Sequence, residues 1–482
     1  MAIVVVVVTY IISSHIRKVN TSMRILLVSE SIPPQVNGIA RRVRHYADSL
    51  KKMGHHVTLV APGNKYCWDY PNIFNEGNRF MVLSPILLFD GLIRGSKDYD
   101  VVHCVMPLNI MSYLLLSAFK LHRFMNKTRG PHLVVSWHCN IAEYAKKYLP
   151  KWGRDTVVYQ CAAGFRFIGH LADRMLVPTL STEPDVLCAF EKSRIGICST
   201  GIEVSKFNPE LKNSKHGVIW QQRKKNDLKR FGDKSYLLLY VGRLAEEKGM
   251  ASIMSAMRDL QNDCVLWIVG DGPISKSLQK ETRDFKLPVV FWGFQTGEVL
   301  NSVYTVADCF VTGSTTETFG QTINEALASG ILACMPRSPG FKDAYSHLMD
   351  PKTCMWKPDD QEDMIRTIRN NLKHGKIVDR AKLINWDYAA SKLAQEYSKK
   401  YRDHNMKDVV HVMTWMWPII MTVVIGTQVQ ALVKQVTQSV GFSEKHAVLI
   451  ATAVATLGSM CVIWSVFTYL LGWIFWSISL IV

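Results

Sequence analysis

Acidic residues are in short supply in this chain. Asp and Glu number 40 against 57 Lys and Arg, a formal net charge of +17 over 482 residues. Such an excess favours an acidic partner: nucleic acid, anionic lipid headgroups or a polyphosphate. Anionic lipid is preferred here because of the tail described next, and no nucleic acid is expected. Cysteine pairing is missing as well, since the 11 cysteines form no CxxC and no Cys/His cluster with metal-ligand spacing. They read as reduced thiols facing a cytosol-like compartment, and the sequence offers no metal site. No internal repeat or long low-complexity tract is present. The length argues for two domains of ordinary size with something added.

Charge is absent altogether from Ala447 to Val482, and Val409 to Val433 is largely apolar around Pro418. Both runs exceed the roughly 20 residues that a spanning helix needs. A buried helix of a soluble protein also accounts for the first run, whereas the second predicts a tilted span or a tight hairpin. Two or three transmembrane segments are therefore expected within 409–482, making a multi-pass membrane protein. The cation-rich body would lie on the cytosolic or stromal side, at a plastid or the endoplasmic reticulum. At the other end, Ala2 to Ile12 is apolar but too short to span, and its cations (His15, Arg17, Lys18) follow rather than precede it, unlike a secretory signal. Residues 1–22 read as an apolar segment, compatible either with a shallow anchor or with a disordered or mis-started N-terminus.

Between these ends the chain alternates buried-strand patterns with helices. Met23 to Ser29 is a strand, Pro33-Pro-Gln-Val-Asn-Gly38-Ile-Ala40 a turn feeding a helix to about Met53, and Gly54 to Val60 the next strand. That βαβ opening starts a doubly wound sheet whose glycine loop lies at the carboxyl edge, where ligands bind. Leu133 to Asn140 is a strand that ends in the polar tip His138. Tyr236 to Val241 begins a second sheet, and the loop after it sets Arg243 and Lys248 five residues apart beside Gly242 and Gly249. Two cations in that position form a clamp for a diphosphate.

Gly313 to Gly330 reads as strand end, tight loop and helix. The loop directs the backbone amides of Thr318, Phe319 and Gly320 from a helix N-terminus, which suits an anion. Glu317 precedes the helix, while Glu325 stands about two turns along it, away from the sheet. A polar loop with one solvated glutamate is the alternative reading of this stretch alone. The cation-aromatic run Tyr144 to Arg154 reads either as an interfacial patch or as a solvated basic helix, and with the basic patches at Arg41, Arg42 and Arg44 and at His122 to Arg129 it suits a membrane-facing surface of the first domain.

Glu317 and Glu325 around Phe319-Gly320, the Gly242-Arg-Leu and Glu-Lys248-Gly elements, and the Pro33 to Ala40 loop together resemble the retaining GT-B glycosyltransferases of the family 4 type. The resemblance covers roughly residues 23 to 400. It implies an α/β GT-B fold, with two Rossmann-like doubly wound domains facing a cleft, to which C-terminal transmembrane helices are added. The acceptor domain would run over 23–209, the nucleotide-sugar domain over 210–385, and a crossover helix and linker over 386–408. The resemblance further implies that Arg243 and Lys248 hold the leaving diphosphate, that Glu317 and His138 hold the sugar, and that Glu325 accepts from the ribose. Gly38, Thr318, Phe319 and Gly320 would line the donor, with no metal and no cofactor beyond a nucleotide-sugar co-substrate, expected to be UDP-linked.

Asp98-Tyr99-Asp100 is similar to the metal motif of the other glycosyltransferase fold, GT-A, but precedes a strand as a turn would. Residues 331–340 depart from the family pattern, and no role is carried onto them. Within the family the motifs look most similar to sulfoquinovosyl diacylglycerol synthases and related bacterial glycolipid enzymes. That implies transfer of sulfoquinovose to diacylglycerol, with mannosyl, glucosyl or N-acetylglucosaminyl transfer to phosphatidylinositol or a dolichol-linked lipid as alternatives. A nucleotide-sugar epimerase shares the architecture but needs no lipid-facing surface. An inactive membrane scaffold would be expected to lack some of Glu317, Glu325, Arg243, Lys248 and His138, all of which are present.

Overall fold

The computed structural model describes residues 22–33, 35, 37–61, 67–71, 79–83, 98–105, 110–125, 130–138 and 150–399. The apolar segments expected to meet the membrane, at 1–21 and 409–482, lie outside the described residues, as does most of the cation-aromatic run before Lys151. Among the described residues no helix is long and apolar enough to cross a membrane. These residues belong to two compact units. One holds both large sheets. To the other belongs helix α2 (Ile110–Met125), in which Leu115, Leu116, Ala118 and Phe119 are buried.

The first sheet is built from β1 (Arg24–Ser29), β2 (His56–Val60), β5 (Val101–Val105), β6 (His132–Ser136), β7 (Arg174–Val177) and β8 (Ile195–Ile197). They run parallel in the order β2-β1-β5-β6-β7-β8. A separate antiparallel hairpin pairs β3 (Cys67–Pro71) with β4 (Arg79–Leu83). Strands such as Val101–Val105 are buried along their whole length, which is why they read as unbroken apolar runs. Helix α1 (Gly38–Lys52) starts where the Asn37 side chain accepts the Ala40 amide at 2.7 Å. Its Ala40, Val43, Ala47 and Leu50 recur at helical spacing and are buried. A longer helix, α3 (Lys151–Leu171), leads into β7.

The second sheet comprises β9 (Tyr236–Val241), β10 (Cys264–Val269), β11 (Val289–Gly293), β12 (Cys309–Val311), β13 (Leu332–Pro336) and β14 (Met355–Trp356). Its order, β11-β10-β9-β12-β13-β14, is also parallel throughout. Helices α4 (Lys215–Arg230), α5 (Met250–Leu260), α6 (Ser275–Asp284), α7 (Gly297–Tyr304), α8 (Gln321–Ala328), α9 (Pro339–Tyr345) and α10 (Gln361–His374) flank it. Apolar clusters cover both faces. The strand order reverses between β9 and β12, so the loops after these two strands meet at the switch point where open α/β sheets bind ligands.

The chain passes between the domains side by side with its own return. Ile202 donates its amide to Ile384 at 2.9 Å and bridges Asn385. A Cβ on Gly201 would come within 2.6 Å of the Trp386 backbone, so only glycine lets the two crossings touch. Helix α11 (Trp386–Tyr397) then rejoins the first domain, where Trp386, Ala389, Ala390, Leu393 and Tyr397 pack against Ile25, Tyr46, Leu50, Val101 and Val134.

Two expectations about surface chemistry change in the folded chain, and the reading of Asp98 to Asp100 as a structural turn stands beside them. Arg42 is 7% exposed, and it and Arg41 turn toward the cleft, which leaves Arg44 alone of that patch in an exposed ion pair with Asp48 (2.9 Å). His122 and Arg123, part of the second patch, are buried. Asp100 pairs with Arg24 at 2.9 Å and accepts its backbone amide at 2.8 Å, a structural role at the foot of β1.

Candidate donor-binding cleft

Two loops of the second domain carry most of the expected site, and their backbones touch. A Cβ on Gly249 would lie 2.1 Å from the Gly313 carbonyl oxygen, and one on Gly313 would lie 2.3 Å from that of Gly249. Gly249 also takes the left-handed conformation, φ 68°. This approach brings Lys248 to Glu317, Nζ to Oε1 at 2.5 Å, with both side chains partly exposed. The Ser314 hydroxyl, fully buried, ties the loops again by donating to the Glu247 carbonyl at 3.2 Å. Arg243 is exposed on the same loop as Lys248, and among the described residues its guanidinium has no ion-pair partner.

Helix α8 begins at Gln321, with Gly320 ahead of it in the left-handed region at φ 81°. Thr318, Phe319 and Gly320 therefore occupy the loop that leads into the helix N-terminus. The loop is held by its carbonyls. Thr179 donates to the Thr318 oxygen at 3.1 Å and Tyr345 to the Gly320 oxygen at 2.8 Å. Helix α9 backs it so closely that a Cβ on Gly340 would sit 2.1 Å from the Glu317 oxygen. Gly340 and Tyr345 fall in or just past the stretch onto which sequence reasoning carried no role. The available signal was Ser338-Pro339, an N-cap followed by proline at the first helical turn.

Glu325 is 2% exposed rather than solvated. Its Oε2 accepts the Tyr304 hydroxyl at 2.8 Å, and its Oε1 pairs with Arg41 of α1 in the first domain. Burial, with the nearby carboxylate, raises the Tyr304 phenol well above its ordinary range and keeps it a donor. The Arg41 contact is invisible in sequence, since 284 positions separate the partners.

His138, at the tip of β6, meets the loop before α8 through its backbone: the Thr318 hydroxyl donates to its carbonyl at 3.2 Å. Its Nδ1 contacts Arg42, and its Nε2 lies 3.0 Å from the Ser136 hydroxyl. Burial, then the Arg42 charge and His103, push the imidazole well below its usual range. Gly38 opens α1 in free space, with nothing within 4 Å of where a Cβ would stand. Among the described residues no three His, Cys, Asp or Glu side chains group closely enough to hold a metal ion.

Two parallel α/β domains facing a cleft, with paired cations and carboxylates on the loops at a switch point, define a nucleotide-binding enzyme of two Rossmann-like halves. The sequence assigns the kind. Residues 36–206 match the profile "Glycosyltransferase Family 4", and residues 220–386 match "Glycosyl transferases group 1". The chain belongs to the GT-B glycosyltransferases.

Among its relatives is the sulfoquinovosyl transferase SQD2 of Arabidopsis thaliana, 25% identical over 77% of this chain and 73% of that one. A GDP-mannose-dependent alpha-mannosyltransferase of Mycolicibacterium smegmatis is 29% identical over 67% of this chain and 81% of its own. An alpha-monoglucosyldiacylglycerol synthase of Streptococcus pneumoniae is 26% identical over 68% and 74%.

Proposed function

We propose that this glycosyltransferase moves sulfoquinovose from a UDP-linked donor to diacylglycerol with retention at the anomeric carbon, while anchored to a membrane through its C-terminal segment. The observation that carries the reaction is the cation-carboxylate set on the two touching loops: exposed Arg243, and Lys248 paired with Glu317. As the bond from sugar to diphosphate stretches, negative charge grows on the leaving group, and preorganised cations stabilise it more than the ground state. An incoming diphosphate draws Lys248 toward itself, which leaves Glu317 to accept hydrogen bonds from the sugar hydroxyls. Glu325 retains acceptor capacity beside Tyr304 and Arg41, because a carboxylate has about four lone-pair positions, and the ribose hydroxyls use it. His138 lines the sugar side.

The sulfoquinovosyl relative supports the sugar, and the diacylglycerol named for the streptococcal relative supports the lipid, as do the apolar runs at 409–482. A mannosyl donor is the second reading, favoured by the mycobacterial relative. The deciding experiment offers radiolabelled UDP-sulfoquinovose, GDP-mannose and UDP-glucose to detergent-solubilised full chain with lipid extract. An acidic, alkali-resistant labelled lipid from the first donor is expected, and label from GDP-mannose alone overturns the sugar assignment. Donor consumed without labelled lipid points to a soluble acceptor or an epimerase. In the same assay Arg243→Ala should chiefly lower turnover and Glu325→Ala chiefly weaken donor binding; wild-type kinetics in both would sink the site assignment.

A further inference from the structure

Arg42 stands apart from the other cations of the cleft. It is 7% exposed, and its guanidinium reaches two groups of its own domain, His138 Nδ1 and the Thr200 hydroxyl. A guanidinium only donates, so the His138 Nδ1 it faces must be the unprotonated nitrogen, and Nε2 then carries the hydrogen. His138 Nε2 therefore donates to the Ser136 oxygen at 3.0 Å; the Ser136 hydroxyl lies 2.8 Å from His103 Nε2, and His103 Nδ1 lies 2.7 Å from the Tyr397 hydroxyl. The His138 tautomer at the mouth of the cleft is thereby set by Arg42, and its ring is linked through Ser136 and His103 to a tyrosine of the returning helix α11.

We propose that Arg42 is a positioning residue of the donor-sugar subsite, holding the His138 imidazole neutral, with its ring fixed, against the loop that carries Glu317 and Thr318. The proposal rests on the reading above that His138 touches the sugar. Its chemistry follows from the contacts. A ring held at Nδ1 by one arm of the Arg42 guanidinium and at Nε2 by Ser136, on a backbone whose carbonyl Thr318 holds, cannot turn when the sugar arrives, and a displacement of about 1 Å at a reacting centre costs up to about 100-fold in rate. Among the described residues, Arg42 from α1 and His103 from β5 act on the ring, and both oppose its protonation, as does burial.

The test is a double-mutant cycle on the full chain with Arg42→Met, Arg42→Gln and His138→Ala. Nucleoside diphosphate affinity, measured separately, serves as the folding control and is expected to be unchanged in all three. Arg42→Met should lower kcat about 10- to 100-fold. The same change placed in His138→Ala should cost little more. Arg42→Gln, which keeps N–H donors for Nδ1 and Thr200, should recover part of the loss. The Arg42→Met profile should also show its acid limb at higher pH than the wild type, because one of the groups opposing imidazole protonation is gone. If His138→Ala turns over normally, the reading of the sugar subsite fails. If His138→Ala is impaired but Arg42→Met is wild-type, or the two losses multiply, the positioning role is overturned.

Discussion

His103 lies between Ser136 and Tyr397 with no access to water, and burial holds its imidazole at about 3 against an ordinary value of 6.5. His138 is displaced in the same direction. Both therefore stay neutral in the folded chain while the unfolded chain protonates them. Above about pH 6.5 neither state binds the proton and the groups cost nothing; below it the unfolded state binds more protons, so stability falls as pH falls, by up to about 1.4 kcal/mol per pH unit for each group. The loss at His103 is complete once the pH passes below about 3. Thermal melts between pH 7.5 and 5 should show this decline, and His103→Gln, which cannot take up the proton, should show a shallower one. Equal slopes would mean that the buried imidazole does not govern the acid limb.

At the scale of elements, the contact that matters most for the site is backbone on backbone, Gly249 against Gly313. Neither loop alone defines the distance from Lys248 to Glu317; their touching does. Gly249→Ala adds a methyl 2.1 Å from a carbonyl oxygen at a position with φ 68°. The left-handed conformation alone costs a non-glycine residue about 1–2 kcal/mol, and separating the loops adds to it. The expected result is a large fall in kcat with a moderate fall in melting temperature. Unchanged kcat in a folded variant would show that the loop spacing is not under this constraint. Helix α8 fits the same account. Within its eight residues Glu325 is met by Tyr304 from the end of α7 and by Arg41 from the first domain.

Over the whole molecule, the two crossings at Gly201-Ile202 and Ile384-Trp386 are what make two sheets into one enzyme. Trp386 is 6% exposed, stacks on His45 at 4.5 Å and meets Tyr46 edge-on at 5.7 Å, so the hinge is anchored into the first domain's core. Trp386→Ala removes that anchor and should cost about 3–5 kcal/mol. Hydrogen exchange should then quicken at the amides of residues around 200–205 and 384–390, before the strands of either sheet are affected. Protection unchanged at these amides would place the anchor elsewhere.

Much of this was already legible along the chain. Unbroken apolar runs such as Tyr236-Leu-Leu-Leu-Tyr-Val241 specify strands buried on both faces, and the glycines after them specify turns, because both signals depend on local sterics and on burial of contiguous residues. Asn37 and Ser338 likewise announce their helices through capping that spans three residues. The two-domain parallel architecture, and the loops that bear Arg243, Lys248, Glu317 and Glu325, follow from such signals.

Pairing of charges does not. Arg41 and Arg42 resemble surface cations in sequence, and only the packing of α1 along the cleft turns one to Glu325 and the other to His138. The exclusion of water from Glu325 and the tautomer of His138 are decided at the same level. Each depends on which distant groups share a low-dielectric space, a property of the folded chain and not of any stretch of it.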